Sequence, residues 1–366
     1  MSDLKYWIAF SSLTAGGSAT MLLLYNHFGS MKEAWLSSSA DIVEIQGITP
    51  NMVNKITTEK AGLDPDMLLE KVISKNIKVI TFQDEDYPFL LKQIYNPPAI
   101  LYVTGDLELC NLNKTLAVVG SRRSSMYIRE ILPKIIAGLR GSDITIVSGL
   151  AAGVDSCAHQ AALDNNLKTI GVIGSGLDYI YPSQNKTLYK KIAEGNGAVI
   201  SEYFPEEEAA TWKFPARNRI ISGLSYGTLI AEAGLRSGAL ITARLTLEQN
   251  RELMCIPGLI TNPNTQGIYE LMKTGAAVVT KADDILACLK WSREAGNEGN
   301  ETKNKIHLLD NERKIYEILN LEPLGFDEII KQSGMNAQEL MVVLTSLELN
   351  GIIKQLPGQR YMKSDF

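Results

Sequence analysis

The spacing of hydrophobic and polar positions predicts short helices over residues 1–70. Within them, residues 45–56 read IQGITPNMVNKI, in which a glycine turn is followed by Pro50 at the expected first position of a second helix. A helix-hairpin-helix of this form, or a SAM-like domain, can present backbone amides to phosphates. The loop contains no Lys or Arg, and only Lys55 follows it. We therefore expect a packing role, with contact to DNA as the alternative.

From residue 114 to residue 289 the pattern becomes a repeat of strand, turn and helix. Each strand is a short, almost continuously apolar run, which is typical of strands buried on both faces of a parallel sheet. The repeat predicts an extended Rossmann-like, doubly wound α/β domain, in which ligands bind beyond the carboxyl ends of the strands. The predicted strands are TLAVVGS, DITIVSGLA, TIGVIGSGLD, GAVISEYF, GTLIAEAG, ELMCIPG and AAVVT.

Three further segments complete the predicted organisation. Residues 71–113 connect the helical region to the sheet and contain two expected strands, in NIKVITFQDEDYP and PPAILYVTGD. Residues 290–305 are polar, contain glycine and carry mixed charge, as a linker does. Residues 306–366 contain three amphipathic helices and a hairpin turning at Pro357-Gly358, which predicts a winged helix.

The last helix of the predicted winged helix does not have the composition of a helix that reads a DNA groove. Residues 336–350 contain no Lys or Arg and carry Glu339 and Glu348. Phosphates would repel these carboxylates, so we expect this domain to contact protein rather than DNA.

Composition fits a globular protein of two or three domains. The 366 residues are 45% hydrophobic and 21% charged, and no apolar window is long enough to span a membrane. The four cysteines lack metal-ligand spacing and form no disulfide framework, so we expect a reducing cytoplasm and no cofactor or metal. The N-terminal residues do not resemble a secretory signal.

The distribution of charge indicates where a polyanion would bind. The net charge of −5 by itself argues against nucleic acid. Residues 114–280, however, hold 17 Lys and Arg against 14 Asp and Glu, whereas the other segments are neutral or negative. A negatively charged partner is therefore expected at the middle domain.

The first glycine turn, VVGSRRSSMY, is a candidate anion site. Gly120 permits a tight turn, Ser121 offers a hydroxyl and an amide, and Arg122 and Arg123 follow at the expected helix start, where free amides favour anions. The alternative is a capped helix with two solvated arginines. We favour anion binding because the turn ends a strand at its carboxyl end.

The stretch FPARNRIISGLS brings Arg217, Asn218 and Arg219 beside an apolar segment that is expected to be buried. Two cations in such a place need a partner. That partner is a carboxylate of the same fold, a small phosphate ligand or a nucleic-acid backbone. Glu232, on the apolar run GTLIAEAG, is the candidate carboxylate under the first of these alternatives.

The third glycine turn, GVIGSGLDYIYP, does not match the dinucleotide-binding fingerprint, because its glycines have the spacing G-x-x-G-x-G. Tyr179 and Tyr181 are candidates for stacking on bases. The next helix places Lys186 and Lys190 on one face, either as solvated lysines or as a track for phosphates. His159 has small apolar neighbours, and we expect it to be structural.

Taken together, these stretches resemble the DNA-processing protein A family (DprA, also called Smf). The resemblance covers roughly residues 115–280. The motifs that carry it, in the order of the family, are VVGSRR, SGLAAGVDSCAHQAAL, TIGVIGSGLDYIYP, GAVISEYF, FPARNRIISGLS and SGALITARLTLEQNRELMCIPG.

The resemblance implies a dimer formed through the Rossmann domain that binds single-stranded DNA without catalysing a reaction. It implies protection of incoming strands during natural transformation, loading of the recombinase RecA on them, and single-strand binding protein as a further partner. The residues that it assigns to the DNA pocket are Gly120, Ser121, Arg122, Arg217 and Arg219. Three positions depart from the family pattern: Ser183, Ala239 and Leu259. Ser183 stands where a basic residue is common, so Lys186 is expected to replace that contact.

Two other functions compete with this one. GTLIAEAG faintly resembles the glycine-rich segment of nucleotide phosphoribohydrolases, although Ser225-Tyr226 stands in place of its first two glycines. An interaction scaffold acting through the acidic tail is the third candidate. The DNA hypothesis requires that the guanidinium groups of the two arginine stretches remain unneutralised until a strand binds.

Overall fold

The computed structural model divides the chain into two compact units, Met1–Glu294 and Ala295–Phe366. The predicted linker lies outside the described residues from residue 293 onward, and the predicted domain boundaries within the first unit stay predictions. The described residues are 3–108, 110, 112–292, 310–319, 323–349 and 352–363.

The first unit contains the predicted α/β sheet. Seven strands, β3 to β9, pair in parallel, and β1 and β2 extend one side antiparallel, in the order β1-β2-β6-β5-β4-β3-β7-β8-β9. Each predicted apolar run is a strand, which confirms the fold class. The strands are β1 (Lys78–Thr81), β2 (Ile100–Gly105), β3 (Thr115–Gly120), β4 (Thr145–Ser148), β5 (Lys168–Val172), β6 (Gly197–Ser201), β7 (Gly227–Glu232), β8 (Glu252–Cys255) and β9 (Ala277–Val278).

Because helices cover both faces of this sheet, nearly every side chain of its central strands is buried. Two apolar clusters result, one on each face of the parallel part. Because β3 to β9 pair in parallel, their carboxyl ends lie along one edge, and the strand order reverses between β3 and β7, where doubly wound sheets form a ligand crevice. The helices are α7 (Phe89–Lys92), α8 (Met126–Ala137), α9 (Val154–Asp164), α10 (Lys186–Ala193), α11 (Lys213–Gly223), α12 (Ala239–Glu248), α13 (Gln266–Lys273) and α14 (Ala282–Leu289).

The N-terminal residues form short helices whose starts follow from local capping. The predicted second helix of the hairpin begins at Pro50, where the side chain of Thr49 accepts a hydrogen bond from the amide of Met52. These helices share an apolar cluster with the sheet, in which Trp7 and Phe10 join Tyr102 and Phe204. The helices are α1 (Leu4–Thr14), α2 (Ser18–Phe28), α3 (Met31–Leu36), α4 (Ser39–Val43), α5 (Pro50–Lys60) and α6 (Pro65–Ile73).

The second unit has the predicted winged helix, with its own apolar core. The hairpin turns at Gly358, whose backbone is left-handed with φ 86°. Its elements are α15 (Asp310–Ile318), β10 (Leu324–Gly325), α16 (Phe326–Ser333), α17 (Ala337–Leu349), β11 (Ile353–Leu356) and β12 (Arg360–Lys363). None of the helices in the described part of the chain is long and apolar enough to cross a bilayer.

Candidate nucleic-acid interface

A pocket of about 90 Å³ opens at the carboxyl ends of β3, β4 and β5, beside α11. Both arginine stretches contribute to it, since Arg122 follows β3 and Arg217 lies on α11. This is the edge at which a doubly wound sheet binds ligands. The residues that line the pocket are Arg122, Gly149, Ala151, Ala152, Gly174, Tyr181, Pro182, Phe214 and Arg217.

The turn after β3 places Arg122 at the mouth of the pocket. A Cβ on Gly120 would lie 2.6 Å from the Val154 side chain, so only glycine lets the turn pack this closely on α9. The hydroxyl of Ser121 accepts a hydrogen bond from the amide of Arg123 at 3.1 Å. Arg122 is exposed, and its guanidinium carbon lies 5.3 Å from the centre of the Phe214 ring.

The expectation that Arg122 and Arg123 begin a helix is wrong. Helix α8 begins at Met126, and its cap, Ser125, donates its backbone amide to the buried Glu232 carboxylate at 3.0 Å. The anion at this helix start is thus a side chain of the protein. Within the described part of the chain, Arg122 forms no ion pair, although its charge acts at a distance on the Asp155 carboxylate, so its guanidinium donors remain available to a ligand.

Arg217 lines the same pocket but is almost fully buried, with 4% of its surface exposed. One terminal nitrogen, Nη1, donates to the carbonyl of Gly149 at 2.7 Å and also to the carbonyl of Val172. Its Nε donates to the Asn218 side chain at 3.3 Å. Burial lowers the pKa of Arg217 to about 10, and the carboxylate of Asp155 opposes that shift. The group stays charged at neutral pH.

The loop after β4 is held between Asp155 and Arg217. The Asp155 carboxylate accepts hydrogen bonds from the amides of Gly149 at 3.1 Å and of Ala151 at 3.4 Å, while Arg217 binds the carbonyl of Gly149. A Cβ on Gly149 would lie 2.7 Å from both charged side chains. Burial raises the pKa of Asp155, and Arg217 partly opposes the change.

His159 is structural in its geometry, as expected. It is completely buried, and its Nδ1 lies 2.7 Å from the Thr169 hydroxyl. That hydroxyl donates to the carbonyl of Ile146, so it accepts from the ring. Burial, followed by repulsion from Arg217, lowers the pKa of His159 to about 3, which keeps the ring neutral.

Arg219 is already neutralised, so the expectation that its guanidinium stays unpaired until a strand binds is wrong; its contact with a strand stays a prediction. Its two terminal nitrogens bind the two oxygens of Glu202 at 2.6 Å each, and Nε donates to the carbonyl of Asn96 at 2.8 Å. Only 12% of the Arg219 side chain and 2% of the Glu202 side chain are exposed. The first alternative raised by the sequence, a carboxylate of the same fold, holds for this arginine.

The candidate carboxylate, Glu232, is not the partner of either arginine. Its oxygens accept from the amide of Ser125 and from the side chain of Asn262, and the residue is fully buried at the end of β7. It does not line the pocket. The resemblance of this segment to phosphoribohydrolases therefore brings no carboxylate to the place where a nucleotide would bind.

Aromatic side chains form the remaining wall of the pocket. Phe214 and Tyr181 lie with ring centres 5.4 Å apart, and Tyr181 is 54% exposed. Trp212, two residues before Phe214, is 57% exposed. The sequence analysis assigned no role to Phe214 or Trp212. A usable signal is that Phe214 stands three residues before Arg217 on one helix, which places both on the same face.

The structure does not bring Lys186 into the pocket. Lys186 begins α10 and is exposed, as are Lys190 and Lys191 on the same helix. Asn218 contributes by accepting from Arg217. The described residues contain no cluster of His, Cys, Asp or Glu suited to a metal ion.

The fold and the pocket define an extended Rossmann-like α/β protein with a winged-helix unit and an arginine-lined pocket at the carboxyl edge of its sheet. Residues 78–290 match the family model of DNA recombination-mediator protein A, and residues 301–359 match the DprA winged helix domain. This chain belongs to the DNA-processing protein A (DprA/Smf) family.

Two relatives and two solved structures illustrate the similarity. A Smf protein of Synechocystis sp. is 33% identical over 396 residues, covering 99% of each chain. DNA processing protein DprA of Streptococcus pneumoniae is 46% identical over 204 residues, covering 56% of this chain and 71% of that one. An X-ray structure of DprA from Streptococcus pneumoniae has a TM-score of 0.68 at 36% identity, covering 79% and 97% of the two chains. DNA processing protein A of Helicobacter pylori, described for its single-stranded DNA binding mode, has a TM-score of 0.53 at 29% identity, covering 59% and 97%.

Proposed function

We propose that this chain binds single-stranded DNA in the pocket between Arg122 and Arg217. We further propose that it protects incoming strands and loads the recombinase RecA on them during natural transformation, without catalysing a reaction itself. The observation that carries the proposal is the exposed guanidinium of Arg122, which forms no ion pair in the described part of the chain and lies against an aromatic wall.

Phosphate binding follows from the two arginines. Arg122 offers its donors to solvent, and a guanidinium binds two phosphate oxygens at once. Arg217 adds a fixed positive charge at the wall, which the nearby Asp155 carboxylate partly offsets. Ser121 and Gly120 shape the turn, and Asn218 orients Arg217.

Base binding follows from the aromatic wall. Phe214 and Tyr181 present ring surface at the pocket, and the exposed Trp212 extends it. Stacking on such rings tolerates every base, and it requires a base that has left its duplex partner. The combination of one cationic and one aromatic wall therefore favours single strands without a sequence preference.

The remaining partners are proposed from the family. A homodimer through the Rossmann domain is supported by exposed apolar side chains: Val278 on the edge strand β9 is 48% exposed, and Leu247 on α12 is 54% exposed. In the second unit, α17 exposes Val342 and carries Glu339, which favours a protein partner over DNA. RecA, single-strand binding protein and a cytoplasmic location complete the proposal.

Titration of the full-length chain with labelled oligo-dT tests the proposal. We expect tight binding to oligo-dT and to single strands of mixed sequence. Duplex DNA of equal length should not displace the oligo-dT, and the affinity should fall steeply as the salt concentration rises. Phe214→Ala should weaken binding by about 1–3 kcal/mol through lost stacking. Absence of binding at low salt would overturn the proposal, and ribose release from AMP would support the phosphoribohydrolase hypothesis instead.

A further inference from the structure

The paired arginine, Arg219, connects the pocket to the N-terminal helices through a single carboxylate. Glu202 follows β6 and binds both terminal nitrogens of Arg219. The same carboxylate accepts a hydrogen bond at 3.1 Å from the hydroxyl of Ser18, the first residue of α2. The helix that carries Phe214 and Arg217 is thereby joined to a segment that lies far from it along the chain.

A second contact between the same two regions lies one residue further on. Gly16 has a left-handed backbone with φ 78°, and a Cβ there would lie 2.5 Å from the Tyr203 ring. The turn between α1 and α2 thus rests directly on Tyr203. The ammonium group of Lys213 lies 4.7 Å from the centre of the same ring, and Lys213 is the first residue of α11.

The third connection consists of ion pairs made by one lysine of α6 and one lysine of the turn that follows α6. Lys75 binds Asp178 at 2.5 Å and Glu206 at 3.1 Å, and Lys71 binds Glu206 at 2.6 Å. Asp178 lies in the loop after β5 that leads to Tyr181, and Glu206 lies in the loop after β6 that leads to Phe214. Neither loop has regular secondary structure of its own around these positions.

The geometry points to the N-terminal helices as a brace that positions the aromatic and cationic walls of the pocket, with Ser18, Glu202 and Arg219 as positioning residues. This inference rests on the proposed function, because it assigns a role in strand binding. Sites that hold a ligand by geometry depend on supporting contacts of this kind. The helices then affect DNA binding without touching DNA.

The competing view is that Arg219 binds the strand directly after leaving Glu202. The two views predict opposite signs for Glu202→Gln in the full-length chain. If Glu202 is a brace, its loss displaces α11, and the affinity for oligo-dT falls on the order of tenfold. If Glu202 only competes with DNA for Arg219, its loss releases the guanidinium and affinity rises.

Salt dependence provides the readout that a general loss of structure would not supply. A positioning residue contributes no phosphate contact, so Glu202→Gln should keep the wild-type slope of log affinity against log salt. Arg122→Ala, which removes a direct contact, should reduce the slope by about 0.7. A higher affinity of Glu202→Gln, or an affinity equal to that of the wild type, overturns the inference.

Milder variants decide the question if Glu202→Gln does not fold. Ser18→Ala removes one hydrogen bond and Lys75→Ala removes two surface ion pairs, and each should weaken oligo-dT binding about two- to threefold. Lys32→Ala is the matched control, since Lys32 is an exposed lysine of the same helical region without an ion pair in the described chain. The inference is wrong if the affinity for oligo-dT is the same in Lys75→Ala, Ser18→Ala and the Lys32→Ala control.

Amide hydrogen exchange locates the effect. In Ser18→Ala the amides of residues 203–213 should exchange faster than in wild type, whereas those of β3 should not change. Unchanged exchange over residues 203–213 contradicts the inference. A wild-type chain that does not bind oligo-dT contradicts the proposed function instead, so the two failures can be told apart.

Discussion

The turn after β3 and the helix α11 both bring arginines to the pocket, and they do so in opposite environments. Arg122 is exposed, and its nearest partner is an aromatic ring. Arg217 and Arg219 are enclosed, with carbonyls and a carboxylate around them. The same residue type therefore serves two purposes, since an enclosed arginine has most of its donors committed to the fold.

Electrostatics strengthens this contrast. Burial lowers the pKa of Arg217, whereas for Arg219 the Glu202 carboxylate outweighs burial and raises the pKa. Leaving a buried charge or its acceptors without partners is costly. Substitution of the enclosed arginines should therefore affect stability first, and substitution of Arg122 should affect binding first.

The largest expected effect is on stability in Arg217→Ala. The change leaves the carbonyls of Gly149 and Val172 without their donor and removes the cation that acts most strongly on the buried Asp155. We expect the free energy of unfolding to fall by about 3 kcal/mol. Urea denaturation followed by circular dichroism measures this. Arg122→Ala is the matched control and should change the unfolding free energy by less than about 1 kcal/mol; equal losses would erase the contrast.

The next effect is a dependence of stability on pH that originates from the buried His159, whose pKa Arg217 helps to lower. The pKa of His159 is about 3 in the folded chain and about 6.5 when unfolded. Between these values the unfolded chain binds a proton that the folded chain does not, so stability is complete above pH 6.5 and falls as the pH drops. Urea titrations at pH 7 and pH 5 should show His159→Gln losing about 2 kcal/mol less than wild type over this interval. If both proteins lose the same unfolding free energy between pH 7 and pH 5, the His159 ring is charged or exposed in the folded chain, and the prediction is wrong.

The sequence predicted the sheet, the glycine turns and the winged helix because each depends on local periodicity and turn chemistry. It also located the pocket, since carboxyl ends of parallel strands share one edge. It did not predict the partner of Arg219. Glu202 lies 17 residues away on a different element, and Ser18 joins it from 184 residues away. Such contacts depend on how the helices pack on the sheet, which no local pattern encodes.

The third effect tests the exposed side of the comparison. Arg122→Ala should weaken oligo-dT binding about tenfold and reduce the slope of log affinity against log salt by about 0.7, because one phosphate contact is lost. Fluorescence anisotropy at several salt concentrations measures both quantities. Arg122→Lys should keep the slope but recover only part of the affinity, since an ammonium cannot bind two oxygens as a fork. A slope that does not change in Arg122→Ala would remove Arg122 from the interface.

The smallest effect concerns Lys186, which lies outside the pocket and was expected to replace the basic residue missing at Ser183. An exposed lysine contributes a solvated point charge, so Lys186→Ala should weaken oligo-dT binding only about two- to threefold. Lys191→Ala provides the control, because Lys191 carries the same charge on another face of α10. A larger effect for Lys186 than for Lys191 in parallel anisotropy titrations would place the strand along this face of the helix. Equal effects would mean that both lysines act only through the overall field, and the strand contacts of this edge would then belong to the pocket alone.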